Sequence, residues 1–585
     1  MTLTGIGRYL RTAKHLHPSQ LYWRVHYEAE RRASPGRRAA RWQWKGDKAP
    51  RIRPDFPRIP LGYRAGSSSV TLALLSHGVL QHLNQQKALG HAQPDWRLGR
   101  VAQDRLWTVT SHYHGWLYDL AEAVLSDPIG SLEAGRLVRH YLSDWLDRCG
   151  PAAPGARFLA WSPYAVASRL AWWIRTYQKL GEERVRSWGS MAERFLHSLW
   201  EQAAYLSDHV EWDLRGNHLL RNAAGLAWAG QFFDEPEARR WLDQATRIAA
   251  EQAAEQVLPD GGHFERSPMY HLLVMEDLWN LELLTPDDAV RRTLNEKLER
   301  MFEYLAWIRH PDGQIPLFND AALNGACPPD EALRAVRPLV LFAREDAVAG
   351  GRYFRDTGMA VWHGDPWDVF FDVGPVGPPY QPGHAHADTL SIECSFRGKR
   401  LFVDPGTFHY DPDDTRRYDR STAAHNTVCL DGTDSSEVWG LFRVGRRARP
   451  LNVATVIGSS SMQASASHDG YDHLRGRPRH TRSITVRNGG SLAIEDRIEG
   501  RGRHEIESGL LLAPEWKVTS ISGGWRIERD GARALVVVKG GPDLRLHQSA
   551  RPYHPEFGME VRTTRLTWRV NAALPVSATV IVEPD

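Results

Sequence analysis

The stretch GHAHAD, residues 383–388, sets two imidazoles and a carboxylate at alternate positions: His384, His386 and Asp388. A Gly/Pro-rich lead-in, GPPYQPG, precedes the histidines and the apolar run LSIE follows, so the pattern predicts side chains at the edge of a strand. Residues i, i+2 and i+4 of an extended chain share a face, which lets the three converge. A His-x-His pair offers a metal ion two nitrogen donors. An imidazole is equally suited to proton transfer near neutral pH. Downstream, LFVDPGTFHY and RSTAAHNTVCL bring Asp404 and His425 to expected strand edges, where they could complete a His/Asp/His set. The separations are long, and spacing alone leaves both chemistries open.

Two further stretches carry chemistry. In DLRGNHLLRNAAGLAWAG, Gly216-Asn217 reads as a helix start, with Leu219, Leu220, Ala223, Leu226 and Ala227 as the buried stripe. Asn217 and His218 then stand at a helix N-terminus, where free N–H groups favour an anion; the plainer reading of Asn217 is a helix cap. In PDGGHFERSPMYH, Ser267 and Pro268 read as N-cap and first helical residue, which puts Tyr270 in the first turn. The helix dipole and Arg266 would there favour a phenolate, as a tyrosine base near neutral pH requires. The plainer reading of Tyr270 is amphipathic packing, although His263, Glu265 and His271 crowd the same stretch.

The elements that must position these groups change character near residue 350. Before it, segments such as SLEAGRLVRHYLSDWLDRC and PYAVASRLAWWIRTYQKL repeat apolar residues at helical spacing. After it, short alternating runs such as WDVFFDVG, RALVVVKG and SATVIVEPD are bounded by Gly, Asn, Asp or Pro, and NGG at 488–490 signals a hairpin. No helical pattern interrupts them, so the sheets should be antiparallel and sandwich-like. The expected organisation is α+β and multidomain: a basic leader segment over 1–65, a helical domain over 66–348, and an antiparallel β domain over 349–585.

The chain's 585 residues exceed one ordinary core. The net charge of +3 announces no global electrostatic partner, and nothing points to nucleic acid. Residues 1–66, however, hold 15 Lys/Arg against 4 Asp/Glu, which reads either as a solvated basic surface or as attraction to an acidic polymer or membrane surface. The 23 tryptophans fit stacking on sugars as well as helical packing. Cys149, Cys327, Cys394 and Cys429 form no CxxC pair, so neither a disulfide framework nor a thiolate zinc site is indicated. No apolar run is long enough to cross a membrane, and the first residues lack the apolar core of a signal peptide.

Taken together, GNHLLRN, DGGHFERSPMYH, PGHAHADTLSIE, LFVDPGTFHY and YDRSTAAHNTVCLDGTDSSEVWGLFRVG, in this order, resemble the heparinase II/III family of polysaccharide lyases. HPSQLYWRVHYEAERR resembles the family's leader segment, so the resemblance covers nearly the whole chain. It implies an (α/α) toroid joined to an antiparallel β-sandwich. It also implies cleavage of a uronic-acid-containing acidic polysaccharide by β-elimination, leaving a 4,5-unsaturated uronate. By resemblance, Asn217 with His218 neutralises the uronate carboxylate, Tyr270 is the acid and for one epimer also the base, and His384 is the other base. His386, Asp404 and His425 would hold one structural divalent metal ion, most simply zinc. Arg266, Arg416, Arg420, Arg443 and Trp439 are then the candidate substrate contacts, through carboxylate or sulfate pairing and ring stacking.

The resemblance implies a periplasmic or cell-envelope location, whereas the absent signal peptide makes the cytoplasm the alternative. Two other functions stay open: a non-catalytic exopolysaccharide-binding or assembly protein, and a glycoside hydrolase on a helical toroid. The hydrolase would need two facing carboxylates, which these motifs do not supply. Oligomeric state, and the choice between polymer degradation and biosynthesis, are not legible.

Overall fold

A computed structural model describes residues 3–32, 40–57, 66–99, 101, 103–126, 129–339 and 349–585. By internal packing the chain divides into two compact units. One comprises residues 17–256 and 273–298; the other comprises 1–16, 257–272 and 299–585. Part of the basic leader expected over 1–65 lies outside the described residues.

The first unit is helical. Its helices include Ser131–Arg148, Pro163–Leu180, Ser190–Asp208, Asn217–Phe232 and Pro236–Gln256. Asn217–Phe232 sits against Pro163–Leu180 and Pro236–Gln256 because it is lined with small residues. A Cβ on Gly225 would stand 2.6 Å from the Ala167 Cα, so only glycine permits this approach. Tryptophans fill the interior: Trp145, Trp161, Trp173 and Trp228 are all fully buried. The high tryptophan content is thus in large part core.

The second unit is built on antiparallel sheets. An eight-stranded sheet contains Pro450–Ile457, Ser461–His468, Arg479–Arg487, Leu492–Glu499, Val576–Pro584, Ala532–Gly540, Gly524–Arg529 and Lys517–Ile521, in that spatial order. A four-stranded sheet is formed by Arg545–Glu556, Met559–Ala573, Arg503–Leu511 and Val428–Leu430. A five-stranded meander runs from Gly350–Phe354 to Lys399–Phe402. The NGG hairpin is present, with Val486 opposite Leu492 and Gly489 at φ 65. Alternation sets the core: Leu492, Ile494 and Ile498 are buried while Glu495, Arg497 and Glu499 face out.

Compactness does not divide the chain at the expected residue 348. Residues 299–339 belong with the sheets because their polar groups are satisfied there. The Arg400 guanidinium donates to the Ile315 carbonyl at 2.9 Å, and the His310 ring bonds Ser395 at 2.7 Å. The N-terminal helix Leu3–Ala13 also belongs to this unit, since Arg11 pairs with Glu437 at 2.6 Å.

GHAHAD is a correction to the strand expectation. It forms an irregular loop that ends where strand Ile392–Phe396 begins, and Leu390 between them has φ 65. Its amides are held outside any ladder: the His386 N–H donates to Asn319 Oδ1 and the Ala387 N–H to the Arg420 carbonyl, both at 3.0 Å. Alternation of strand faces therefore does not govern where His384 and His386 point.

Candidate active site

Tyr270 is placed by a helix start of the expected kind. Helix Pro268–Leu284 follows Ser267, whose Oγ accepts the Tyr270 N–H at 3.2 Å. The same hydroxyl donates to the Asp320 carbonyl at 2.6 Å, which fixes the cap against the neighbouring chain. Tyr270 is 8% exposed and its ring stacks on that of His384, with centroids 3.7 Å apart and planes 24° apart. Its hydroxyl lies 3.3 Å from that of Tyr410. Phe442 sets its ring edge-on to both His384 and Tyr410. Two residues named for proton transfer are thus in direct contact, with the rings of Tyr410 and Phe442 against them.

Asp320 stands behind both histidines. Its carboxylate accepts from His384 Nδ1 at 3.0 Å, from His386 Nε2 at 2.9 Å, and from both terminal nitrogens of Arg416. Its backbone N–H also donates to the His384 carbonyl at 2.9 Å. Burial pushes the Asp320 pKa up, but the Arg416 charge and the hydrogen bonds from both histidines prevail and hold it well below the ordinary carboxylate value. Asp320 carries no local signal, because the partners of its carboxylate are 64 or more residues away along the chain. Tyr410 lies within LFVDPGTFHY, but nothing in that motif marks its hydroxyl as a partner of Tyr270.

His386 and His425 face one another, with ring centroids 5.2 Å apart. Each has one nitrogen committed: His386 Nε2 to Asp320, and His425 Nδ1 to Asp404 Oδ2 at 2.8 Å. The remaining nitrogens, His386 Nδ1 and His425 Nε2, are buried without a hydrogen-bond partner. Burial lowers both imidazole pKa values, that of His386 to about 3, so these rings are neutral near pH 7, and His386, which donates through Nε2 to the ionised Asp320, carries its lone pair on the orphaned Nδ1. The carboxyls of Asp388 and Asp372 are shifted upward, Asp388 to about 6, chiefly by burial and further by neighbouring aspartates. Burial, then Glu393, does the same to Asp404. Two orphaned imidazole nitrogens among crowded carboxyls are the donor types that suit a divalent cation. Asp404 backs His425 instead of meeting His386, and no group of three or more His, Cys, Asp or Glu among the described residues is gathered around one point.

Asn217 and His218 open helix Asn217–Phe232 in the helical unit, as expected, but the cap position is Gly216 at φ 60. Asn217 is 3% exposed and occupies the first helical position. His218 Nδ1 lies 3.1 Å from Glu211, whose other contact is the Asn222 amide at 3.0 Å.

The expected substrate arginines are corrected by their surroundings. Arg416 and Arg420 are 1% and 2% exposed. Arg416 holds Asp320, while Arg420 donates to the carbonyls of Ala385, Gly440, Leu441 and Arg443. The Arg266 guanidinium donates to the carbonyls of Phe264, Asp356 and Thr357. Arg416 and Arg420 are buried with their donors committed, and the half-buried Arg266 is committed to backbone carbonyls. Trp439 stacks edge-on with Tyr9, donates to Thr12 Oγ1 at 3.1 Å, and lies under Arg443. The N-terminal helix and Arg443 therefore both pack against the ring assigned to sugar.

Residues 34–333 match the model of the heparinase II/III N-terminus, and residues 347–581 match that of the heparinase II/III-like C-terminal region. The chain belongs to the heparinase II/III family. This family member is 26% identical over 487 residues to a protein named heparin-sulfate lyase from Bacteroides stercoris, an alignment spanning 74% of this chain and 68% of that one. It is 24% identical over 399 residues to FtsZ-localized protein C of Caulobacter vibrioides, spanning 64% and 62% of the two chains. The crystal structure of heparinase III superposes with a TM-score of 0.73 at 16% identity, covering 97% of this chain and 92% of that one. The heparinase II/III fold expected from the motifs, a helical toroid with an antiparallel β-sandwich, is the fold of this chain.

Proposed function

We propose that this protein is a carbon–oxygen lyase that cleaves a uronic-acid-containing acidic polysaccharide by β-elimination. The observation that carries this reading is the stacked pair of Tyr270 and His384, two groups suited to proton transfer in direct contact. The C5 proton of a uronate is α to a carboxylate and barely acidic. Elimination therefore needs the carboxylate neutralised, a base at C5, and an acid at the leaving O4. His384, oriented by Asp320, serves as the base for one epimer. Tyr270 serves as the acid at O4, and as the base for the other epimer. Its hydroxyl passes or recovers a proton beside that of Tyr410. Asn217, with His218, is assigned to the carboxylate as a hydrogen-bond donor at a helix N-terminus.

His386 and His425, with Asp404 behind, are the residues that would hold a zinc ion. The ion would supply structural cross-linking of the loops that carry His384 and Tyr410. The orphaned ring nitrogens support this assignment. The cell envelope is the proposed place of action, on the strength of an acidic polymer as substrate. No helix among the described residues is long and apolar enough to cross a membrane.

The test is incubation with a panel of glucuronate, iduronate, mannuronate and guluronate polymers, read by absorbance of the 4,5-unsaturated product. New absorbance on one polymer supports the lyase reading. Shorter reducing-end products without new absorbance overturn it in favour of hydrolysis, and polymer binding without any product favours a binding or assembly protein.

A further inference from the structure

We infer that Asp320 is a positioning residue that holds His384 and His386 in opposite tautomers, so that one imidazole is dedicated to proton transfer and the other to metal binding. This rests on the functional reading above for what the two rings do, but not for how they are held.

The geometry begins with Arg416, whose guanidinium cannot lose its proton in a protein. Both of its terminal nitrogens donate to Asp320, one to each carboxylate oxygen. Arg416 is itself fixed, since a terminal nitrogen also donates to the Leu441 carbonyl at 2.9 Å and its backbone N–H is capped by Asp413 at 3.0 Å. A carboxylate paired in this forked way is acceptor-only. Any imidazole nitrogen at hydrogen-bond distance from it must therefore carry the hydrogen.

Two imidazoles reach it, through different nitrogens. His384 presents Nδ1 to Oδ2 at 3.0 Å, and His386 presents Nε2 to Oδ1 at 2.9 Å. In a neutral ring only one nitrogen bears hydrogen. Donation to Asp320 places that hydrogen of His384 on Nδ1, so a neutral His384 has its lone pair on Nε2, the nitrogen at the far edge of the ring. His386 is the Nε2–H tautomer with its lone pair on Nδ1, the atom that is buried without a partner and lies on a ring facing His425. The alternation of sequence makes the two histidines equivalent; one carboxylate makes them different. Fixing a tautomer through the second nitrogen is a general way to orient histidine bases and metal ligands.

Asp320 is also joined to the rest of the site by its backbone. Its N–H meets the His384 carbonyl, and its carbonyl accepts from the Ser267 hydroxyl that caps the helix of Tyr270. Adjacent Asn319 repeats the arrangement: its side-chain oxygen accepts the His386 N–H at 3.0 Å and its amide nitrogen donates to the Arg266 carbonyl at 3.0 Å. The dipeptide Asn319-Asp320 therefore locks both histidines relative to the tyrosine.

The experiment is ring-nitrogen NMR of the full chain labelled with ¹⁵N-histidine, with resonances assigned by their loss in His384→Gln and His386→Gln. The expected wild-type spectrum has His384 protonated at Nδ1 and His386 protonated at Nε2. The same tautomer for both rings, or the reverse pair, overturns the inference. In Asp320→Asn at least one ring should leave its wild-type tautomer. Turnover should fall on the order of 10²- to 10⁴-fold with KM within about threefold, as for other tautomer-setting aspartates, and zinc affinity by about 10- to 100-fold. Glu393→Gln is the structural control, a buried carboxylate that bonds His310 at 3.2 Å and touches neither site histidine; it should lower thermal stability while leaving turnover per folded chain unchanged. A folded Asp320→Asn with wild-type tautomers, turnover and zinc content also overturns the inference. If Asp320→Asn does not fold, the wild-type spectrum decides. Opposite tautomers in a wild type that cleaves no polymer would remove the lyase reading and leave this one standing.

Discussion

The Tyr270 ring lies flat against the His384 ring at 3.7 Å, although 114 residues separate them in the chain. The contact brings a phenol and an imidazole together within one compact unit, with the Tyr410 hydroxyl 3.3 Å from that of Tyr270. Removing the Tyr270 hydroxyl keeps the stack and deletes the proton. Tyr270→Phe should therefore lower turnover on a cleaved polymer by about 10²- to 10⁴-fold, the range for general acid–base groups, with binding retained. Tyr410→Phe should cost less, since its hydroxyl acts through that of Tyr270. Steady-state kinetics on the unsaturated product, with polymer binding measured separately, check both; wild-type turnover in Tyr270→Phe would remove it from its role.

Asn217 occupies the first position of its helix and is nearly buried. Asn217→Ala removes the donor proposed to meet the developing negative charge while the helix keeps its Gly216 cap. Turnover should fall about 10²- to 10³-fold, the scale for deleting one oxyanion donor. Circular dichroism should show little change in helix content. A loss confined to KM would mean that Asn217 binds the substrate equally in ground and transition states.

The orphaned nitrogens of His386 and His425 set the metal prediction. Elemental analysis of protein purified without added metal should find about one divalent ion per chain. His386→Ala and His425→Ala should each lose it, and chelation should lower the thermal midpoint. An ion present at a thousandfold over its dissociation constant contributes about 4 kcal/mol. A folded wild type free of metal, unchanged in stability by added zinc, would defeat the assignment.

The N-terminal helix Leu3–Ala13 depends on Glu437, which accepts from Nη2 and Nε of Arg11 at 2.6 and 2.8 Å and from Arg8 at 3.3 Å. The Arg11 hydrogen bonds, against some opposing burial, lower the Glu437 pKa from 4.5 to about 2. A carboxylate whose folded pKa is depressed stabilises the docked helix fully above its unfolded pKa, and that stabilisation is lost as pH falls through the folded value. Docking should therefore weaken from about pH 4.5 down to about pH 2. Hydrogen–deuterium exchange of residues 3–13 should rise across this window. Glu437→Gln should exchange fast already at neutral pH, and added salt should narrow the difference because the pair is partly exposed.

Gly225 makes the close helix crossing in the toroidal unit, where a Cβ would meet the Ala167 Cα at 2.6 Å and its Cβ at 2.7 Å. Alanine would gain about 1 kcal/mol in helix propensity, but overpacking against backbone costs about 1–3 kcal/mol. Gly225→Ala should be neutral to destabilising and Gly225→Val clearly destabilising, as measured by thermal unfolding. An unchanged midpoint in Gly225→Val would show that the two helices are free to separate.

Much of this protein is legible in its sequence because it is written locally. The helical and strand halves, the Ser267-Pro268 helix entry, the Asn217 helix start and the NGG hairpin depend on residues a few positions apart, and the structure has them. The motifs also carried the family and its fold. What sequence could not determine is where side chains meet across long separations. GHAHAD reads as one strand edge, yet it is a loop, because Asn319 and Arg420 take the amides that a ladder would use. Arg416 and Arg420 read as substrate contacts, yet they are buried, because a carboxylate and unpaired carbonyls far along the chain need their donors. Which nitrogen of His384 and of His386 is committed is likewise tertiary. It follows from Asp320, distant in sequence and adjacent in space, since a hydrogen bond to one nitrogen of an imidazole decides what the other nitrogen can do.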